Sequence, residues 1–235
     1  MRLHDGEPPA GPWRRATAGE VLDVLLAGLD PAGRTVVAVD GRSAAGKTTL
    51  TAALHTEATR RGVPCAVVHT DDIAWFHAFF DWADLLADGV LRPFRADGAV
   101  HFVPPAWRPR GREGAVEVAA GTRLLLVEGV GAGRRAVSAL LDAVVWVQSD
   151  VDVARVRGLA RDVASGVNGD AAQTEAFWDE WDREEVPFQA AERPWDRATL
   201  VVAGSRGAQA PGTFEVSPGP AASTAPERPG RTASS

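Results

Sequence analysis

The chain has 235 residues, of which 45% are hydrophobic, and it carries a formal net charge of −6 at pH 7. This length predicts one domain of about 200 residues with a tail. The acidic balance argues against nucleic acid or an anionic membrane as a partner. Cys65 is the only cysteine, so no internal disulfide can form, and no apolar run is long enough for a membrane span or a signal peptide. These features favour a cytoplasmic protein.

The N-terminal residues 1–15 are polar and proline-rich, and they are predicted to form a loose arm before a domain at 16–207. Thr17 followed by Glu20 is a capping box, and the apolar spacing after it predicts a helix. The apolar run at 35–40 is typical of a buried strand.

The stretch after this strand, residues 41–48, has the pattern G-x-x-x-x-G-K-T of a phosphate-binding P-loop, and a helix is predicted to follow it. Such a turn at a helix N-terminus leaves backbone N–H groups free for phosphate oxygens. Lys47 is expected to contact the β- and γ-phosphates, and the Thr48 hydroxyl to bind Mg²⁺. The predicted nucleotide-binding residues are Gly41, Ser43, Ala44, Ala45, Gly46, Lys47, Thr48 and Thr49.

A second short buried strand is predicted at 65–69, and it leads directly to the neighbouring acids Asp71 and Asp72. Open parallel sheets carry their ligands at the carboxyl ends of the strands, so this pair is expected near the phosphates. The spacing alone does not decide which acid serves the reaction. His69 ends this strand, and it lies either near the site or in the core; we favour a core histidine.

Residues 73–120 do not form another plain β–α unit. An aromatic cluster is followed by a predicted helix at 82–91 and by two predicted hairpin strands, 99–103 and 114–118. We interpret this region as an acceptor-binding insert that carries Trp107, with a surface hairpin as the alternative.

A third strand, 123–128, ends in Glu128 and a glycine, which is the Walker-B pattern of an acid that orients Mg²⁺ or its water shell. After a fourth strand, a helix carries Arg157 and Arg161, which are four residues apart and share one face. These arginines contact phosphates or lie on a solvated face. The acidic helix that follows is expected to break at Pro187.

A fifth strand is predicted at 198–202, and residues 208–235 have the composition of a disordered tail that can be removed after Gly207. The pattern predicts an α/β fold, a three-layer sandwich around a five-stranded, mainly parallel sheet with a small β-hairpin insert.

From about residue 35 to residue 204, the chain resembles the uridine kinase-like family of P-loop phosphotransferases. The resemblance rests on the segments GRSAAGKTT (41–49), TDDIAW (70–75), FDW (80–82), LLLVEGVGAG (124–133), RVRGLARD (155–162) and ATLVVAG (198–204).

The resemblance implies a P-loop kinase that uses ATP and Mg²⁺ to phosphorylate a hydroxyl of a small, nucleoside-like acceptor. In this family, Asp71 corresponds to the aspartate that accepts the 5′-hydroxyl proton, and Glu128 to the metal-site glutamate. Asp81 corresponds to an aspartate that binds ribose hydroxyls. Arg157 and Arg161 match two positions of the arginine-rich lid.

The family usually carries a tyrosine in the hairpin, but this chain has no tyrosine, and Trp107 lies in that region. The acceptor therefore stays open. Two other functions fit a P-loop: a nucleotide-binding switch or scaffold without transfer, and an NTP hydrolase that acts with a partner protein.

Overall fold

A seven-stranded β-sheet forms the centre of the computed structural model, which describes residues 1–27, 29–30, 33–204 and 210–224. A separate two-stranded hairpin accompanies it. The strands are β1 (Arg14–Thr17), β2 (Thr35–Gly41), β3 (Cys65–His69), β4 (Val100–Phe102), β5 (Val116–Val118), β6 (Leu124–Glu128), β7 (Ala143–Gln148), β8 (Leu200–Ala203) and β9 (Thr213–Pro218).

The order of strands in the main sheet is β1-β9-β8-β7-β2-β6-β3. The five neighbours from β8 to β3 are parallel, and they are the strands that the apolar runs predict. β9 pairs antiparallel with β8, and β1 pairs antiparallel with β9. The predicted mainly parallel α/β sheet is confirmed, but its size is seven strands rather than five.

Helices cover both faces of the sheet. A π-helical turn (Ala87–Leu91) joins α4 to α5, and none of the helices in the described ranges is long and apolar enough to cross a membrane. The helices are α1 (Ala18–Leu26), α2 (Lys47–Arg60), α3 (Thr70–Ala74), α4 (Ala83–Leu86), α5 (Arg92–Asp97), α6 (Val151–Ser165) and α7 (Ala171–Glu192), with short 3₁₀ helices at Arg108–Arg110, Arg135–Leu140, Pro194–Arg197 and Pro220–Thr224.

The core has two halves because side chains alternate along each strand. In β2, Val36 and Ala38 pack with the α3–α5 region and the hairpin. Val37 and Val39 are on the opposite side, where they pack in one cluster with apolar side chains of α1, α2, β8 and β9. The sheet is therefore the middle layer of a sandwich.

The N-terminal arm is not loose, which corrects the expectation for residues 1–15. Glu7 is 6% exposed, and its carboxylate accepts hydrogen bonds from the Arg42 guanidinium, from Trp146 Nε1 at 2.8 Å and from Gln148 Nε2 at 3.1 Å. A buried carboxylate with these partners fixes the arm against the P-loop and β7. The end of the arm also forms β1.

The C-terminal segment differs from its prediction as well. Residues 210–224 are structured, since β9 pairs on both sides and Val216 is fully buried. The expected disordered tail is wrong for this part, and residues 225–235 lie outside the described residues.

Helix α7 continues through Pro187 to Glu192, so the predicted break there is also wrong. A proline removes one backbone hydrogen bond. Buried contacts on both sides of it, at Glu185 and Gln189, hold the helix in place.

Candidate active site

The P-loop joins β2 to α2 at the carboxyl edge of the sheet. Gly41 lies so close to β7 that a Cβ there would be 2.7 Å from the carbonyl oxygen of Val147. Gly46 precedes the first turn of α2 with a φ of 108°, which favours glycine. Lys47 is 7% exposed, and its Nζ donates to the carbonyl oxygen of Arg42 at 2.9 Å. The lysine therefore lies over the loop, where phosphate oxygens would bind.

Glu128 joins the P-loop to the neighbouring strand end. In the register of the sheet, it lies between Val39 and His69. Its Oε1 accepts from the Thr48 hydroxyl at 3.3 Å, and its Oε2 lies 2.6 Å from His69 Nδ1. Burial would raise the pKa of Glu128, but His69, Lys47 and Thr48 together lower it. The carboxylate is thus held in its charged form beside the P-loop threonine.

His69 belongs to this cluster rather than to the core alone, which corrects its interpretation as a core histidine. The hydrogen bond to Glu128 raises the pKa of His69, against the effect of burial. Its position at the strand end, two residues before Asp71, was the available signal.

The oxygens of Thr48 and Glu128 are ligands that suit Mg²⁺. Across the described residues, no group of three or more His, Cys, Asp or Glu side chains is arranged to hold a metal ion. Mg²⁺ in nucleotide sites uses one or two protein ligands, with water and substrate phosphates. The pair therefore fits a metal held jointly with phosphates.

The side chains of the neighbouring acids Asp71 and Asp72 lie in different surroundings. Asp71 lines the cleft, where desolvation raises its pKa, Lys47 lowers it and Glu128 raises it further. Asp72 instead pairs with the Arg112 guanidinium. The backbone oxygen of Asp72 also accepts from Trp107 Nε1 at 2.9 Å.

The two arginines of α6 approach the cleft differently. Arg157 Nη1 donates to the carbonyl oxygens of Ala44 and Gly204, each at 3.2 Å. Arg161 Nε donates to Asp162 Oδ1 at 2.7 Å. The pKa of Arg161 is raised by Asp162 first, and Asp71 and Glu128 add to the effect. Arg161 lines the same cleft as these two acids.

Asp162 was not found by sequence reasoning. It is 6% exposed, and its Oδ2 accepts from Trp178 Nε1 at 2.9 Å while Oδ1 holds Arg161. Gly158, one turn earlier, lies against the same indole, since a Cβ there would be 2.1 Å from the Trp178 ring. Asp162 thus joins α6 to α7 at the cleft.

Aromatic side chains of α7 form one wall of the cleft, which has a volume of about 570 Å³. Phe177, Trp178 and Trp181 line it. Phe79 and Phe80 extend the wall, with ring centroids 5.6 and 5.4 Å from Trp181. A cleft with charged groups at one end and flat apolar rings at the other can orient a ligand that has both polar and planar parts.

Two predicted acceptor residues do not line this cleft. Trp107 is 4% exposed, its N–H donates to the backbone oxygen of Asp72 in α3, and Arg112 stacks over its ring at 3.7 Å. Asp81 is exposed and influences the pKa of the buried Arg134. The predicted hairpin is present, but the lining of the cleft includes none of the described residues 99–120.

A second cavity, of about 450 Å³, also adjoins the P-loop. Its walls include Gly46, Thr49, Arg157 and Gly204 together with the stretch from Ala210 to Phe214. The segment before and at the start of β9 is therefore part of the surroundings of the P-loop.

The overall fold has solved counterparts. A possible uridine kinase from Bacillus stearothermophilus is 20% identical, with a TM-score of 0.50 over 78% of this chain and 96% of that chain. A putative fructose transport system kinase from Silicibacter sp. is 22% identical, with a TM-score of 0.52 over 76% of this chain and 94% of the other. The fold is that of the P-loop kinases. No protein-family model matches the sequence, and no curated protein matches it.

Proposed function

We propose that the protein is a small-molecule kinase that transfers the γ-phosphoryl group of ATP to a hydroxyl, with Mg²⁺ as the metal. The main support is the cleft itself, which the P-loop, the Thr48–Glu128 pair, Asp71 and Arg161 line together. These are the components of phosphoryl transfer: a phosphate cradle, oxygen ligands for a metal, a carboxylate for the acceptor and a cation for the transferring group.

Each residue has a distinct role in this proposal. Lys47 and the P-loop amides bind the phosphates, and Thr48 and Glu128 hold Mg²⁺, which neutralises phosphate charge when bound. Asp71 accepts a hydrogen bond from the acceptor hydroxyl and takes its proton as the new phosphorus–oxygen bond forms. Arg161 stabilises charge on the transferring group.

The acceptor in this proposal is nucleoside-like. The aromatic wall of α7 suits a planar ring, and one structural neighbour carries the name of a possible uridine kinase. Because Asp71 is the acid that lines the cleft, whereas Asp72 is engaged by Arg112, we assign the base to Asp71.

The test is a screen of nucleosides and other hydroxyl compounds with ATP and Mg²⁺, read by mass spectrometry of the products. A kinase yields a phosphorylated acceptor. A switch or scaffold yields no product, and a hydrolase releases phosphate without an acceptor.

On the best acceptor, Asp71→Asn should lower kcat by about 10²–10⁴, the usual contribution of a positioned base, and should leave ATP affinity within a few-fold. Asp72→Asn is the matched control and should be milder. Normal turnover of Asp71→Asn would refute the assignment of the base. Because the Asp71 carboxylate must be charged, kcat should also fall as the pH drops through its raised pKa.

A further inference from the structure

Helix α7 places a carboxylate directly on the P-loop. Glu185 is 3% exposed, and its Oε1 accepts from the backbone N–H of Ser43 at 2.8 Å and from Gln189 Nε2 at 3.1 Å. The amides of a P-loop serve to attract phosphate oxygens. In this protein, one of them is already held by an anionic group of the chain itself.

The surroundings of Glu185 shift its pKa in opposite directions. Burial raises the pKa of Glu185 to about 7, although Lys47, the Ser43 N–H, Arg42 and Trp181 each lower it. Lys47 is the largest of these opposing influences. The carboxyl group is therefore mostly charged only above pH 7, and the cations that favour its charge belong to the phosphate site.

The charge of Arg42 is already shared, since its guanidinium forms a buried ion pair with Glu7 of the N-terminal arm. Lys47, in contrast, donates to a backbone carbonyl oxygen at 2.9 Å, and no carboxylate in the described part of the chain forms an ion pair with it. The oxygens of a polyphosphate bound in the loop would pair with the Lys47 ammonium group. Lys47 would then stabilise the charged form of Glu185 less. The polyphosphate would also place several negative charges near Glu185.

Gln189 shows that a proton on Glu185 can be accommodated. This side chain already contacts Glu185 through its amide nitrogen, while its amide oxygen is buried and accepts no hydrogen bond from any described residue. Rotation of the amide by half a turn would let that oxygen accept an O–H from a protonated Glu185. The neutral carboxyl group therefore has a partner available within the fold.

We propose that entry of a polyphosphate into the P-loop is coupled to the uptake of a proton from solvent by Glu185. Neutralised Glu185 keeps its hydrogen bond with the Ser43 amide and no longer repels the phosphates. The inference rests on the proposed function, because it takes the P-loop to be a polyphosphate site. It adds a positioning residue that sets the pH dependence of binding.

The coupling has a definite sign. Since the bound state holds more protons than the free state, affinity should fall as the pH rises above 7, by up to about tenfold per pH unit. Substitution of Glu185 by glutamine mimics the neutral carboxyl group. The variant should therefore bind more tightly than the wild type at pH 8.5, with a weaker dependence on pH.

The experiment is isothermal titration of the full chain with ATP in excess Mg²⁺, and separately with tripolyphosphate, between pH 7.5 and 8.5. This range lies above the second ionisation of a terminal phosphate, near pH 6. Repeating each titration in two buffers of different ionisation enthalpy gives the number of protons taken up. Glu185→Gln is compared with Glu184→Gln, which removes the same charge from an exposed neighbour.

The wild type and Glu184→Gln should take up a substantial fraction of one proton, and Glu185→Gln should take up much less. Binding without proton uptake by the wild type, or equal uptake by the wild type and Glu185→Gln, would overturn the inference and leave the proposed function intact. Absence of binding by all three proteins would refute the proposed function itself. The wild-type measurement needs no variant, so a folding defect in Glu185→Gln cannot decide the result.

Discussion

Removal of strand β9 is a direct test of how the C-terminal segment contributes to the domain. A chain that ends at Gly207 lacks the strand that pairs with both β8 and β1. It also lacks the stretch from Ala210 to Phe214 that lines the second cavity beside the P-loop. We expect this truncation to lower both the melting temperature and the affinity for ATP.

Val216 allows the magnitude to be worked out at one position. Its side chain is fully buried against the half of the core that contains α1 and α2. Val216→Ala removes two buried carbon groups, worth about 1.6 kcal/mol in transfer free energy, and leaves a small cavity. The expected loss of unfolding free energy is about 2–3 kcal/mol. For a domain of this size, that corresponds to a melting temperature lower by about 4–12 °C.

The assay is thermal unfolding followed by circular dichroism, together with titration of ATP. The matched control ends the chain after Thr224, which keeps β9 and the 3₁₀ helix that follows it. The truncation after Gly207 should cost more than Val216→Ala, because it also removes the backbone pairing of the strand. Equal melting temperatures for the two truncated chains would refute the role that we assign to β9.

Three further variants test the site. Lys47→Ala should abolish transfer and weaken ATP binding, because the phosphates lose a direct charge contact; wild-type turnover would refute the phosphate site. Asp162→Asn leaves one acceptor oxygen in place of the two that Arg161 and Trp178 now use. We expect kcat to fall while ATP affinity stays within a few-fold. An equal loss of both would indicate a folding role. Gly158→Ala gains about 1 kcal/mol in helix propensity, but its methyl group would clash with the Trp178 ring. Calorimetry should therefore show net destabilisation. A raised melting temperature would contradict the close packing.

The parallel strands could be predicted because most of them are buried on both faces, although β3, at the edge of the sheet, is buried only at Val68. Such strands are continuous apolar runs, and β6 and β7 are buried at every position. The P-loop and Glu128 follow from the same logic, since each comes directly after one of these runs. The local sequence was sufficient to predict a site residue where one short segment contains both the strand and the residues that directly follow or end it.

The two added strands could not be found in this way. The segment Thr213–Pro218 contains one fully buried apolar side chain, Val216, and lies in a region rich in proline and small residues. Its order depends on pairing with β8 and β1, which are distant in sequence. The same is true of Glu7, whose partners Trp146 and Gln148 lie about 140 residues away.

The acid pair shows the limit of motif reasoning at the site. A dipeptide of two aspartates does not say which carboxylate turns toward the phosphates. The choice depends on Arg112 and Trp107 of the hairpin, which engage Asp72 and leave Asp71 in the cleft. The hairpin is therefore connected to the site through Asp72, whereas Trp107 was expected to contact the acceptor directly.

Helix α7 links the two halves of the proposed site. Trp178, Trp181 and Glu185 are spaced by three and four residues, so they share one face of the helix. The tryptophans line the cleft, and the glutamate binds the P-loop at Ser43. A shift of this helix on binding an acceptor would move the Glu185 carboxylate relative to the phosphate site. A helix broken at Pro187 would lack the hydrogen bond from Gln189 to Glu185, so continuity through the proline supports the carboxylate that binds the P-loop.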